Sequence, residues 1–227
     1  MNFEKKNIVT LAAIAGGLCA SVASADVVLV SMTFDDLAGS YSTATSTFTA
    51  SAVDTARLRT SGDVSRLVDA EGTSTFSPGF VSQADQGNFV MSVGVGALAF
   101  DGTRAGSGVF TTTDADGDTI VGAINGTWRN LGLGFIAFDG VLSQVFVNDN
   151  GAQDGTFNGS NGGAWDLDLP ALEPYRGALV QLVLGANGFF AQNFSNRATG
   201  VTAQIVPAPG AMALVGLGMI AAGRRRR

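Results

Sequence analysis

Between residues 26 and 205 the chain alternates short apolar stretches with turn residues every eight to twelve positions or so, the pattern of an all-β sandwich or barrel. Asp26–Phe34, DVVLVSMTF, predicts a first strand. In Asn88–Phe100, NFVMSVGVGALAF, the residues Phe89, Met91, Val93 and Val95 recur with period two. They therefore share one face of a strand, and Asp101-Gly102 follows as a turn. Gly134–Val147 holds two β-type runs on either side of Asp139-Gly140. That dipeptide accepts the two positive φ angles of a type I′ turn, so a two-residue hairpin is expected there. A second hairpin is expected over Val109–Ile124. Asn148–Gly163 reads as one long, polar, glycine-rich loop. Pro170–Gly188 fits a helix with Pro174 in its first turn, or a buried strand over Leu179–Leu184; the all-β surroundings favour the strand. Gly200–Val206 predicts the last strand. The expected fold class is all-β: one antiparallel, jelly-roll-like β-sandwich over 26–205, with apolar helical segments at both termini.

The N-terminal segment stands outside this pattern. Lys5 and Lys6 precede Ile8–Val22, which is apolar or small throughout, and Ala23-Ser24-Ala25 then forms an A-x-A site. This is the layout of a cleaved signal peptide over residues 1–25, with the cut between Ala25 and Asp26. The Sec export machinery and signal peptidase are the partners it calls for. Cys19, the single cysteine, lies inside this segment.

Charge and composition narrow the chemistry of what remains. Between Asp26 and Val206 there are seven arginines and no lysine against eighteen acidic residues, a net charge of −11. Nucleic acid is an unsuitable partner for such a surface, because binding it needs a basic footprint. Histidine is absent from the whole chain. A Ser-His-Asp or Cys-His nucleophile and a His/Cys zinc site are excluded in the exported part. Carboxylate chemistry and oxygen ligation of hard cations stay open.

Asp114-Ala115-Asp116-Gly117-Asp118 is the clearest candidate of that kind. Carboxylates at alternate positions match the first half of an EF-hand loop, so calcium is the one cofactor for which the sequence offers ligands: Asp114, Asp116 and Asp118. The match stops there. Thr119 stands where that loop needs glycine, Asn125 stands where it needs glutamate, and the flanks read as strands. Further ligands would come from other loops, Asp149 or Asp154 for example. A hairpin tip explains the same residues by backbone preference alone. Trp128, Trp165, Tyr41 and Tyr175 offer either a sugar-stacking platform or core packing, and core is the commoner use. Glu71 and Glu173 are the two glutamates available to a glycosidase pair, and nothing in the pattern couples them.

The C-terminal segment, VPAPGAMALVGLGMIAAGRRRR over residues 206–227, has three ordered parts. Pro207-Ala208-Pro209 opens it, Gly210–Gly223 is uncharged, and Arg224, Arg225, Arg226 and Arg227 close it. As a helix the uncharged part reaches about 21 Å, short of the ~30 Å hydrocarbon core. The arginines favour the cytoplasmic side, so the segment has the form of a transient membrane stop. These residues resemble the PEP-CTERM sorting signal of Gram-negative exported proteins, with alanine where that family usually carries glutamate, a variant similar to that of planctomycete-like bacteria. The resemblance implies processing near Pro209 by an exosortase, a membrane transpeptidase-like protease. It implies nothing about the domain. The expectation is an exported, non-catalytic cell-surface or extracellular-matrix protein that passes through a transient inner-membrane intermediate. Extracellular polysaccharide is a candidate partner. A carbohydrate- or calcium-dependent binding module is the alternative, and a hydrolase comes third.

Overall fold

The computed structural model describes residues 27–69, 71–81, 89–151, 153–185 and 188–208, and for 179–185 the backbone only. The expected signal-cleavage residues Ala23, Ala25 and Asp26, the terminal apolar segments, Pro209 and Arg224–Arg227 lie outside these residues. All regular structure in the described chain is strand: β1 Val30–Ser42, β2 Thr47–Ser51, β3 Ser61–Arg66, β4 Gly72–Phe76, β5 Phe89–Gly94, β6 Arg104–Thr113, β7 Thr119–Gly132, β8 Phe135–Asn148, β9 Thr156–Asn158, β10 Ala164–Asp166, β11 Tyr175–Gly185 and β12 Phe194–Val206. Every pairing is antiparallel.

Eight strands form a hydrogen-bonded ring, β1-β2-β5-β6-β7-β8-β11-β12, which the β12–β1 pairing closes. With the β3–β4 and β9–β10 hairpins set aside, ring neighbours follow chain order. The connectivity is a closed meander, without the crossed connections expected of a jelly roll. β1 makes room for the side hairpin by dividing one edge. Val30–Asp35 pairs with β3, Ala38–Ser42 pairs with β2, and the other edge carries β12. The change falls at a bulge between Phe34 and Leu37, where Asp36 has φ of 56°. A bulge turns a strand locally, which lets one strand serve two partners.

Period-two patterning sets the interior as expected. Phe89, Met91 and Val93 on β5 are buried, and Val95 continues their row. The strand ends earlier than its pattern, at Gly94, and β1 begins at Val30 instead of Asp26. Aromatic rings fill the ring of strands. Phe34 and Phe89 lie 4.8 Å apart, Trp128 and Phe138 4.6 Å, Trp128 and Phe190 4.8 Å. Each fully buried side chain of this size contributes about 1.5–3 kcal/mol through removal of apolar area from water. Glycines on the neighbouring strands make space for them. A Cβ on Gly106 would sit 2.6 Å from both Phe138 and Trp128, and one on Gly122 would sit 2.6 Å from Phe110.

The expected hairpin at Asp139-Gly140 is not a turn. Both residues lie inside β8, where Thr127 pairs with Asp139 and Gly126 with Gly140. Gly140 is required by packing, since its Cβ would meet the Phe138 ring at 2.6 Å. Asp139 points to solvent and pairs with Arg129 across the ladder at 3.1 Å. The true turn is Leu133-Gly134, with φ of 52° and 81°, closing β7 onto β8. The Val109–Ile124 hairpin is present as β6–β7, with Thr113 opposite Thr119. Pro170–Gly188 supplies strand β11, and Gly200–Val206 is the end of β12.

Residues 148–163 are not a bare loop. They carry β9, which pairs with β10 beyond them, and the unit lies against β4. Ser74 Oγ donates to the Phe157 carbonyl, and Trp165 stacks on Phe157 with its Nε1–H donated to the Val64 carbonyl at 3.1 Å. Arg66, 4 % exposed, donates to the carbonyls of Val68, Asp166 and Asp168 and to the Asp168 carboxylate at 2.7 Å.

Candidate metal centre

Asp114–Asp118 forms the tip of the β6–β7 hairpin. The Asp114 N–H donates to the Asp118 carbonyl at 2.9 Å and closes the tip, while Gly117 takes φ of 112°, which suits glycine. The Asp114 side chain turns inward. Its Oδ1 accepts the N–H groups of Asp116, Gly117 and Asp118 at 3.1, 2.8 and 2.8 Å. Its Oδ2 accepts the Asn158 N–H at 2.6 Å. This is the local Asx bonding that makes aspartate a turn former.

The long loop comes up to meet this tip. Ala115 N–H donates to the Asn158 carbonyl at 3.0 Å, and Gly151 N–H to Asp118 Oδ1 at 2.6 Å. Gly151 must be glycine, because a Cβ there would lie 2.4 Å from the Asp116 carbonyl oxygen. The Asn158 amide reaches Asp116 Oδ2 at 3.1 Å and Asp154 Oδ2 at 3.4 Å. Asp154 Oδ1 accepts both the N–H and the hydroxyl of Thr156, and that bonding holds its carboxyl below the usual range.

Carboxylate oxygens of Asp114, Asp116 and Asp118 lie within 4.8 Å of one another. Asp114 is 1 % exposed, Asp118 is fully buried and Asp116 is exposed. Burial, then the Asp116 carboxyl beside it, pushes Asp114 up to about 7, against the backbone N–H groups that favour its charge. Burial also raises Asp118, with the Asp116 and Asp149 charges adding to it and the Gly151 and Asn150 N–H groups opposing. Asp118 Oδ2 is buried and accepts no hydrogen bond. The arrangement gathers three oxygen donors of like charge, the requirement of a hard cation. Of the two extra ligands considered from sequence, Asp149 is close enough to act on Asp118 through its charge, and Asp154 is joined to Asp116 through Asn158.

Sequence reasoning found the three aspartates but missed Gly151 and Asn158, which complete the tip from 33 and 44 residues away. The available signal was the glycine density of residues 151–163. Gly159 and Gly163 press on the Thr75 and Thr73 backbones as Gly151 presses on Asp116, so these glycines mark close backbone approach.

The other candidates separate cleanly. Tyr41, Trp128, Trp165 and Tyr175 are all core residues, so they form no sugar-stacking platform. Glu173 accepts the Val147 N–H at 2.7 Å, and Glu71 is exposed beside β4. Pro207, buried, and Ala208 follow directly on β12. No family model, curated protein or solved structure matches this chain.

Proposed function

We propose that this chain is an exported, non-catalytic cell-surface or matrix protein, delivered through its C-terminal segment and cut near Pro209. The observation that carries the reading is the pairing of Val30 with Ile205. It brings the strand domain's two junctions, to residues 1–26 and to 209–227, to one end of the ring. The opposite end bears the exposed residues Leu98, Phe100, Leu131 and Leu133. A domain with a tethered end and a free end suits display outward from a membrane during sorting. Sec, signal peptidase and an exosortase-like protease are then its processing partners, and extracellular polysaccharide is a candidate for what the finished protein meets. Within the ring the layers are those of a flattened sandwich. Phe48 of β2 packs edge-on to Trp128 of β7 at 5.2 Å, and Thr112 of β6 faces Met32 of β1 at 3.9 Å.

The intact mass of protein recovered from outside the cell tests this. The expected mass lacks residues 1–25 and the tail beyond Pro209. Extracellular protein that still carries Arg224–Arg227 overturns the sorting reading.

A further inference from the structure

The hairpin tip concentrates negative charge. Asp114 and Asp118 are buried, Asp116 lies between them, and Asp149 adds to the charge felt by Asp118. The ion pairs Arg59–Asp54, Arg66–Asp168 and Arg129–Asp139 all lie elsewhere. Asp118 supplies the deciding observation. Its side chain is fully buried in the cluster, Oδ1 accepts the Gly151 N–H, the Asn150 N–H also favours the carboxylate's charge, and Oδ2 itself completes no hydrogen bond. A buried acceptor left unmet is costly, and more so when it is charged. Turn formation explains Asp114 but gives no reason for a second buried carboxylate with a bare oxygen.

We propose that Asp114, Asp116 and Asp118 bind one calcium ion at the β6–β7 tip, and that the ion clamps the following glycine-rich loop to the hairpin. The donor set is all oxygen, which suits a hard cation and not zinc. Calcium takes six to eight oxygens in flexible geometry, whereas magnesium demands a near-ideal octahedron and gives up water reluctantly. On the loop, Asp149 acts on Asp118 through its charge and Asp154 is joined to Asp116 through Asn158, and water fills the remaining positions of the shell. The loop is the element that gains. It touches the tip through Gly151 and Asn158 and touches β4 through Gly162, whose carbonyl accepts the Thr75 N–H. Neutralising the tip fixes the first of these attachments. The site stands whether or not the tail is processed.

Calorimetric titration of the full-length chain with calcium chloride, paired with thermal melts in calcium and in EDTA, tests the site. One ion per chain is expected, with an affinity near the ~10⁻⁴–10⁻³ M of extracellular calcium modules. At about a hundredfold excess over that constant, the Tm should rise by about 5–11 °C over the EDTA value. Asp116→Asn and Asp118→Asn should each weaken binding by at least about tenfold, as loss of a charged ligand does. Asp101→Asn serves as the control, since Asp101 sits in another turn, bonded to Thr103, and should leave affinity unchanged. If Asp118→Asn does not fold, the exposed Asp116 decides the matter. Absence of binding heat and of a Tm shift in the natural chain overturns the proposal. So does unaltered affinity in Asp116→Asn.

Discussion

Asp114 shows how one side chain can serve turn and charge at once. Its carboxylate organises the tip through four backbone N–H groups, yet burial and Asp116 raise it to about 7 from the ordinary value of 3.8. The folded chain therefore holds a proton that the unfolded chain has released between about pH 4 and pH 7. Stability linked to Asp114 is full below that window and is lost as pH rises through it. The groups acting on it are the Asp116 carboxyl and the backbone N–H groups of Gly117, Asp118 and Asn158. In EDTA, thermal melts should give a higher Tm at pH 5 than at pH 8; an equal or lower Tm at pH 5 contradicts the raised carboxyl. The three aspartates were legible in the sequence because alternate carboxylates are a local pattern. The bare oxygen of Asp118 was not, because it depends on where Gly151 arrives.

At the scale of elements, two dipeptides compete for one turn. Asp139-Gly140 has the composition of a type I′ hairpin, and Leu133-Gly134 has its geometry. Tertiary packing decided. Trp128 and Phe138 need ring space that only Gly106, Gly126 and Gly140 leave open, so Gly140 was bound to the interior of β8. The turn then fell to Leu133, fully exposed and in the left-handed region that a leucine seldom occupies. Leu133→Asn should relieve this and stabilise the chain by about 0.5–1 kcal/mol, seen as a Tm rise of about 1–4 °C. A lowered Tm would show that the leucine side chain has a role in the fold. Strand existence was readable from period-two patterning throughout. Strand pairing was less so, because glycine marks turns and ring-packing sites alike. β9 and β10 escaped notice since three-residue strands leave too little periodicity to register.

For the whole molecule, closure through β12 is the central fact. β12 bonds β1 along one edge and β11 along the other. A chain ending after Asn193 would lack it and expose two long edges, so it should show no cooperative melt. A chain ending after Ala208 keeps every described strand and should melt within about 2 °C of the full-length chain, less than the ~1 kcal/mol that one ordinary substitution shifts. A large loss in that second chain would mean that residues 209–227 belong to the domain and not to a separable tail.

The same closure bears on how the domain meets force. Tension applied below Val206 and resisted at the far loops runs along β12, parallel to its axis. The hydrogen bonds to β1 and β11 lie across that direction, so both ladders are loaded in shear and many bonds must fail together. Tension between the start of β1 and the end of β12 does the opposite. Val30 and Ile205 are opposite each other, so that load peels the pair one bond at a time, like a zipper. A domain held from its C-terminal side and gripped at its free end is thus strained along its strong direction, and the weak direction opens only to a hand that pulls on both junctions.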